Sequence, residues 1–122
     1  MDVEFKPSEP LYLQIMNRLK RQIVSGRRKP GDKVEPVREL AQMLAVNPGT
    51  VQRAFSELER EGLLYTERTS GRYITTDSGR IRRLREELVG QIVADFVGHM
   101  RKTGVADGEI LELVRRYLQG GV

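Results

Sequence analysis

Residues 46–62 read VNPGTVQRAFSELEREG, and the reading of the whole chain turns on them. Asn47 is a good helix N-cap, and Pro48 suits the first helical position, where its missing N–H breaks no bond. Val51, Ala54, Phe55 and Leu58 then fall on one apolar stripe, while Asn47, Thr50, Gln52 and Arg53 occupy the front of the helix. Gly62 ends it. Such a helix packs on protein with its back and offers hydrogen-bonding groups with its front.

Upstream, Leu11, Ile15, Leu19 and Ile23 recur every four residues and predict a helix over about 10–25, with Pro10 in its first turn and Gly26 after its end. The punctuated segment GRRKPGDKV turns the chain, and residues 33–35 read as a short strand. A second, short helix follows in PVRELAQMLA, with Pro36 in its first turn and Val37, Leu40, Ala41 and Leu44 along one side. Downstream of the quoted helix, residues 64–67 and 72–75 are rich in strand formers around Thr-Ser-Gly and read as a hairpin.

Two helices joined by a tight turn, the second polar at its N-terminal end, followed by a hairpin, make a winged helix-turn-helix. In that motif the second helix lies in the major groove of DNA, its early residues against base edges. The residue types suit that placement, since Gln52 matches adenine bidentately, Arg53 a guanine or phosphate, and the Thr50 methyl a thymine methyl. Gly49 lets backbone approach closely. Arg38 can reach a phosphate or guanine across the turn, or else pair with Glu39 or Glu35. Arg68 and Arg72 flank the wing tip, and a thin loop bearing Arg fits a narrow minor groove.

Taken together, PLYLQIMNRLKRQIVSG, KPGDKVEPVRELAQMLAVNPGTVQRAFSELEREGLL and a wing ending SGRYI resemble the GntR family of bacterial transcription regulators over residues 10–74. The resemblance implies DNA contacts at Arg38, at Asn47, Pro48, Gly49, Thr50 and Gln52, and on the wing at Arg68 and Thr69. Arg53, Gly71 and Arg72 complete the expected contact set. The family's usual Leu-Pro-Ser-Val-Arg stands here as Val34-Glu35-Pro36-Val37-Arg38, and Thr69 replaces the first Gly of its wing.

Beyond the wing, Asp77 and Ser78 cap a predicted fourth helix in which Ile81, Leu84, Leu88, Ile92, Phe96 and Met100 form one stripe and Val89, Val93 and Val97 another. A fifth helix carries Ile110, Leu111, Val114, Tyr117 and Leu118. Two helices are too few to enclose a sizeable ligand cavity, and the short tail resembles that of the YtrA subfamily. The fourth helix offers more apolar surface than one short partner covers; it either folds back on the winged domain or pairs with a second copy. The expected dimer surface comprises Leu84, Leu88, Ile92, Phe96, Met100, Leu111, Val114 and Leu118.

The expected architecture is thus mainly α with a small β wing: a DNA-binding domain over 1–76 and a two-helix dimerisation unit over 77–122. The net charge of +4 suits a nucleic-acid partner. With no cysteine and one histidine, His99, thiolate zinc sites and histidine clusters are excluded, and no nucleophile–base pair stands in recognisable spacing. No metal, cofactor or enzymatic activity is expected. His99 reads as a surface residue near a helix end, and Tyr12, Tyr65, Tyr73 and Tyr117 as packing rather than a stacking platform. Arg80, Arg82, Arg83 and Arg85 read as a solvated face or as phosphate contacts. The absence of an apolar run at the start or of a membrane-length segment predicts a cytoplasmic protein. The function expected is a dimeric, sequence-specific regulator of transcription, a repressor on an inverted-repeat operator in double-stranded DNA. The alternative is a winged-helix adaptor for another protein. The operator sequence and any small-molecule effector are not legible.

Overall fold

The computed structural model describes residues 4–121. In chain order it contains α1 (Leu11–Val24), α2 (Val37–Leu44), α3 (Pro48–Arg60), β1 (Leu64–Glu67), β2 (Gly71–Ile74), α4 (Ser78–Lys102) and α5 (Asp107–Leu118). This is the mainly helical fold with a two-stranded wing that the sequence predicts. The chain forms two compact units, the first running to Arg85 and the second from Glu86. The first unit therefore takes in two turns of α4 besides the 1–76 expected for the winged domain.

The first unit is organised around α3, which packs against α1, α2 and β1. Val51, Ala54, Phe55 and Leu58 on its back have no solvent exposure. They close on Ile15, Met16, Leu19 and Ile23 of α1 and Leu40, Ala41 and Leu44 of α2, all buried. Burying an aliphatic or aromatic side chain of this size contributes about 1.5–3 kcal/mol, so the stripe is the main adhesive of the unit.

Pro10 and Pro36, expected within the first helical turns, both stand one residue earlier as N-caps. Their ψ angles of 133° and 152° are extended. Proline fixes φ but not ψ, and in this position each carbonyl still accepts the first helical bonds, from Leu13 and Gln14 to Pro10 and from Leu40 to Pro36. The segment expected as a strand at 33–35 makes a single antiparallel bridge, Lys33 to Tyr73, flanked by Val34 N–H to Arg72 O and Ile74 N–H to Asp32 O. It lies along the wing as a short third rung.

The wing pairs Leu64 with Ile74 and Glu67 with Gly71. Its second strand thus begins one residue before the expected 72–75, because Gly71 opposes Glu67 and leaves a three-residue tip of Arg68, Thr69 and Ser70. Positive φ falls on Gly71, at 120°, and not on Thr69. The tight tip therefore closes with a threonine in the family's glycine position.

Ion pairs fasten the edges. Arg28 grips Glu35 through two bonds of 2.7 Å, holding that carboxyl below its ordinary value of 4.5. Lys20 and Arg80 converge on Glu61 at the end of α3, and Arg80 Nε also donates to the Glu61 carbonyl at 2.7 Å. Asp77 caps α4 by accepting from Arg80 N–H, as expected. In the second unit, Arg101 makes a bidentate pair with Asp107 in the first turn of α5, and Ile110 is buried.

The Glu35 pair sets an acid limb of stability. Because its folded-state pKa is lowered, chiefly by the Arg28 hydrogen bonds and against the opposing effect of burial, its contribution is complete above about pH 5 and is lost as pH falls through the folded value. Denaturant melts of Glu35→Gln between pH 3 and 7 should show less stability than the parent at pH 7 and a shallower fall below pH 4.5.

Candidate nucleic-acid interface

The turn between α2 and α3 sets where the α3 front points. Ala45 adopts a left-handed conformation, φ 56° and ψ 47°, and is the only non-glycine residue with positive φ among the described residues. Its N–H bonds to Gln42 O and that of Val46 to Ala41 O, the paired bonds of a Schellman closure normally built on glycine. Asn47 then caps α3, its Oδ1 accepting from Gly49 N–H at 2.7 Å, with Pro48 at the first helical position. The Asn-Pro-Gly reading of the sequence is met.

Asn47, Pro48, Gly49, Gln52 and Arg53 are exposed, and Thr50 is half-buried. The Gln52 side-chain amide donates to Ser56 Oγ at 3.2 Å, one exposed bond across one helical turn, so it is easily redirected. Arg38 is exposed on α2, and its side chain has no hydrogen-bond or ion-pair partner among the described residues. Glu35, one of the acids that could have claimed it, is held by Arg28. A groove lined by Arg38, Ala41, Gln42, Ala45, Val46 and Pro48 joins the two helices.

Arg53 differs from its neighbours on the front. Its guanidinium lies 3.8 Å from the centre of the Tyr12 ring, a cation–π contact that holds it toward the start of α1. Tyr12, Asn47, Gly49, Thr50 and Arg53 line one shallow cleft. Tyr12, read from sequence as packing, is therefore part of this surface; nothing in local spacing reveals it, because the contact joins elements about forty residues apart.

On the wing, Arg68 and Thr69 are exposed at the tip, and Tyr65 and Tyr73 stack at 5.6 Å to stiffen the hairpin. Arg72 corrects an expectation. Its Nε donates to Glu59 Oε1 at 2.6 Å, its guanidinium sits over the Phe55 ring, and 24% of its side chain is exposed. Burial raises the Glu59 pKa, but bonds from Thr66 and Arg72 outweigh it and hold the carboxyl below its ordinary value. Arg72 thus anchors the wing to α3 rather than reaching outward.

The expected self-association surface also divides. Ile92, Phe96, Leu111 and Leu118 are exposed, at 65, 40, 71 and 78%, and Leu88, Met100 and Val114 are half-buried. Leu84 is a correction: it lies one turn beyond Arg80 and is fully buried within a single chain, so it has no surface to offer a second copy. Arg82, Arg83 and Arg85 are exposed, whereas Arg80 is committed to Glu61.

A buried-backed helix with an exposed polar front, a stiff hairpin and unpaired cations beside both define a winged helix-turn-helix protein of the nucleic-acid-binding class. Residues 11–74 match the family described as bacterial regulatory proteins, gntR family. The chain belongs to the GntR family. It is 37% identical over 105 residues to the HTH-type transcriptional repressor YtrA of Bacillus subtilis, an alignment covering 80% of this chain and 81% of that protein. A GntR family transcriptional regulator from Listeria monocytogenes has a similar structure, with a TM-score of 0.84 and 40% identity over 92% of this chain and 98% of its own. The fold also resembles the AraR DNA-binding domain in complex with operator ORX1, with a TM-score of 0.53 and 25% identity over 62% of this chain and 92% of that one. The chain is accordingly a YtrA-like transcription regulator of the helix-turn-helix type. Among the described residues, no helix is long and apolar enough to cross a membrane.

Ala45 offers a direct check on the turn. Glycine relieves the left-handed strain but adds freedom to the unfolded chain, for a net gain of about 0.5–1 kcal/mol. Thermal melts of Ala45→Gly should therefore show a Tm a few degrees higher than the parent.

Proposed function

We propose that this protein is a repressor that binds an inverted-repeat operator in double-stranded DNA as a homodimer, reading bases with the front of α3. The observation that carries the reading is the division of α3: its back is wholly buried, and Asn47, Pro48, Gly49 and Gln52 stand exposed on the other side. A helix so placed enters a major groove with its first two turns.

Gln52 suits adenine and Arg38 a guanine edge or a phosphate, while Arg53 and the cleft beside Tyr12 suit the adjacent backbone. Arg68 and Thr69 at the wing tip suit the neighbouring minor groove. Repression is supported by the name of YtrA, and operator binding by the AraR complex. In the second unit, Ile92 and Phe96 on α4 and Leu111 and Leu118 on α5 are exposed apolar side chains suited to burial against a second copy. A two-fold pair would set its α3 helices about 34 Å apart, one turn of DNA.

Selection from a random duplex pool with purified protein tests this reading; a two-fold symmetric motif is expected, and enrichment of no motif would refute it. On the recovered duplex, Arg38→Ala and Gln52→Ala should each weaken binding by about 1–3 kcal/mol, measured by quantitative footprinting. Wild-type affinity in both variants would remove these residues from the reading surface. For the dimer, Phe96→Glu should give a monomer mass in sedimentation equilibrium at concentrations where the parent is dimeric, and an unchanged mass would refute that face.

A further inference from the structure

With Arg72 committed to Glu59, the wing retains one arginine of its own, Arg68, for an outside partner. A second cation arrives from elsewhere in the sequence. Lys33 belongs to the loop before α2, yet its backbone bridges to Tyr73, which lays it along the second wing strand. Its side chain crosses Gly71. A Cβ built at Gly71 would stand 3.2 Å from Lys33 Cε and 4.0 Å from Nζ, so the bare glycine backbone is the floor over which the lysine stem passes. The ammonium therefore reaches the base of the wing tip, beside the Glu67–Gly71 pair that closes it.

This charge is not neutralised locally. Glu35 holds Arg28 with both carboxylate oxygens, and Asp32 Oδ2 accepts from Lys29 N–H at 2.8 Å. Glu67 faces Gly71 across the wing but makes no ion pair with Lys33, and among the described residues no acid does. Lys33 itself is exposed. An exposed ammonium fixed along a wing that also carries Arg68 is a point charge awaiting an anion.

We propose that Lys33 is a DNA phosphate contact of the wing, seated by the Lys33–Tyr73 bridge and the bare backbone of Gly71. The inference rests on the operator-binding reading and adds to it a residue outside both the recognition helix and the hairpin. An ammonium is compact and lacks the planar fork of guanidinium, so it neutralises a backbone phosphate rather than identifying a base. Lys33 therefore strengthens binding to all sequences alike and fixes the depth of the wing. Arg68 at the tip remains the group suited to the groove itself.

The test is the salt dependence of binding by the full chain to the duplex recovered from the random pool. Lys33→Gln should make the slope of log K against log salt shallower by about 0.9, weaken binding several-fold at low salt and leave the selected motif unchanged. Lys33→Arg should keep the parent slope, and Lys102→Gln, in the second unit, should do the same. A parent slope in Lys33→Gln, with Arg38→Ala still weakening binding, would overturn the Lys33 contact and leave the operator reading standing. Recovery of no motif by the parent would overturn the operator reading and this inference with it.

Discussion

The structure depends on the burial of one side of α3. Val51, Ala54, Phe55 and Leu58 sit at positions that bring them together once per helical turn, and all four are removed from water by α1, α2 and the wing. Truncating a leucine or phenylalanine so placed to alanine costs about 2–5 kcal/mol, a large part of the stability of a domain this size. The helix cannot rotate about its axis without exposing that stripe. The polar front is thereby held outward by hydrophobic burial, with no direct interaction needed to point Gln52 or Asn47 at a ligand.

Charged residues divide into those that fasten elements together and those left for solvent or a partner. Arg28, Lys20, Arg80 and Arg72 are held by Glu35, Glu61 and Glu59, joining the loop, α1, α4 and the wing to their neighbours. Pairs of this kind, partly shielded from water, fix relative positions more than they add to stability. Arg38, Arg53, Arg68 and Lys33 make none of these ion pairs and border α2, the α3 front and the wing. Glu35, Glu59 and Glu61 are thus occupied within the first unit, while Arg38 on α2 and Arg68 and Lys33 at the wing keep no acid partner among the described residues.

Much of this was legible in the sequence because it is local. Helix periodicity marked the stripes of α1 to α5, and Asn47, Pro48 and Gly62 marked the limits of α3, since caps and breakers act within a few residues of themselves. What escaped was set by contacts between distant elements. Arg72 looked like a wing cation until Glu59, thirteen residues away, claimed it. Leu84 shares a helical stripe with Leu88 and Ile92, and periodicity alone does not distinguish a residue buried in its own chain from one left outside. Ala45 concealed its left-handed turn because alanine is not a residue that advertises one. Tyr12 and Lys33 acquire their places only when α1 meets α3 and the loop before α2 meets the wing.

The central claim is that the α3 front is the surface that meets DNA, and backbone amide NMR of the labelled full chain, titrated with selected and scrambled duplexes, addresses it most directly. With the selected duplex, the largest shift changes are expected at residues 47–53, accompanied by the wing at 66–71, and the 47–53 response should be much weaker with the scrambled one. Tight binding of the selected duplex with the signals of residues 47–53 unmoved would contradict it.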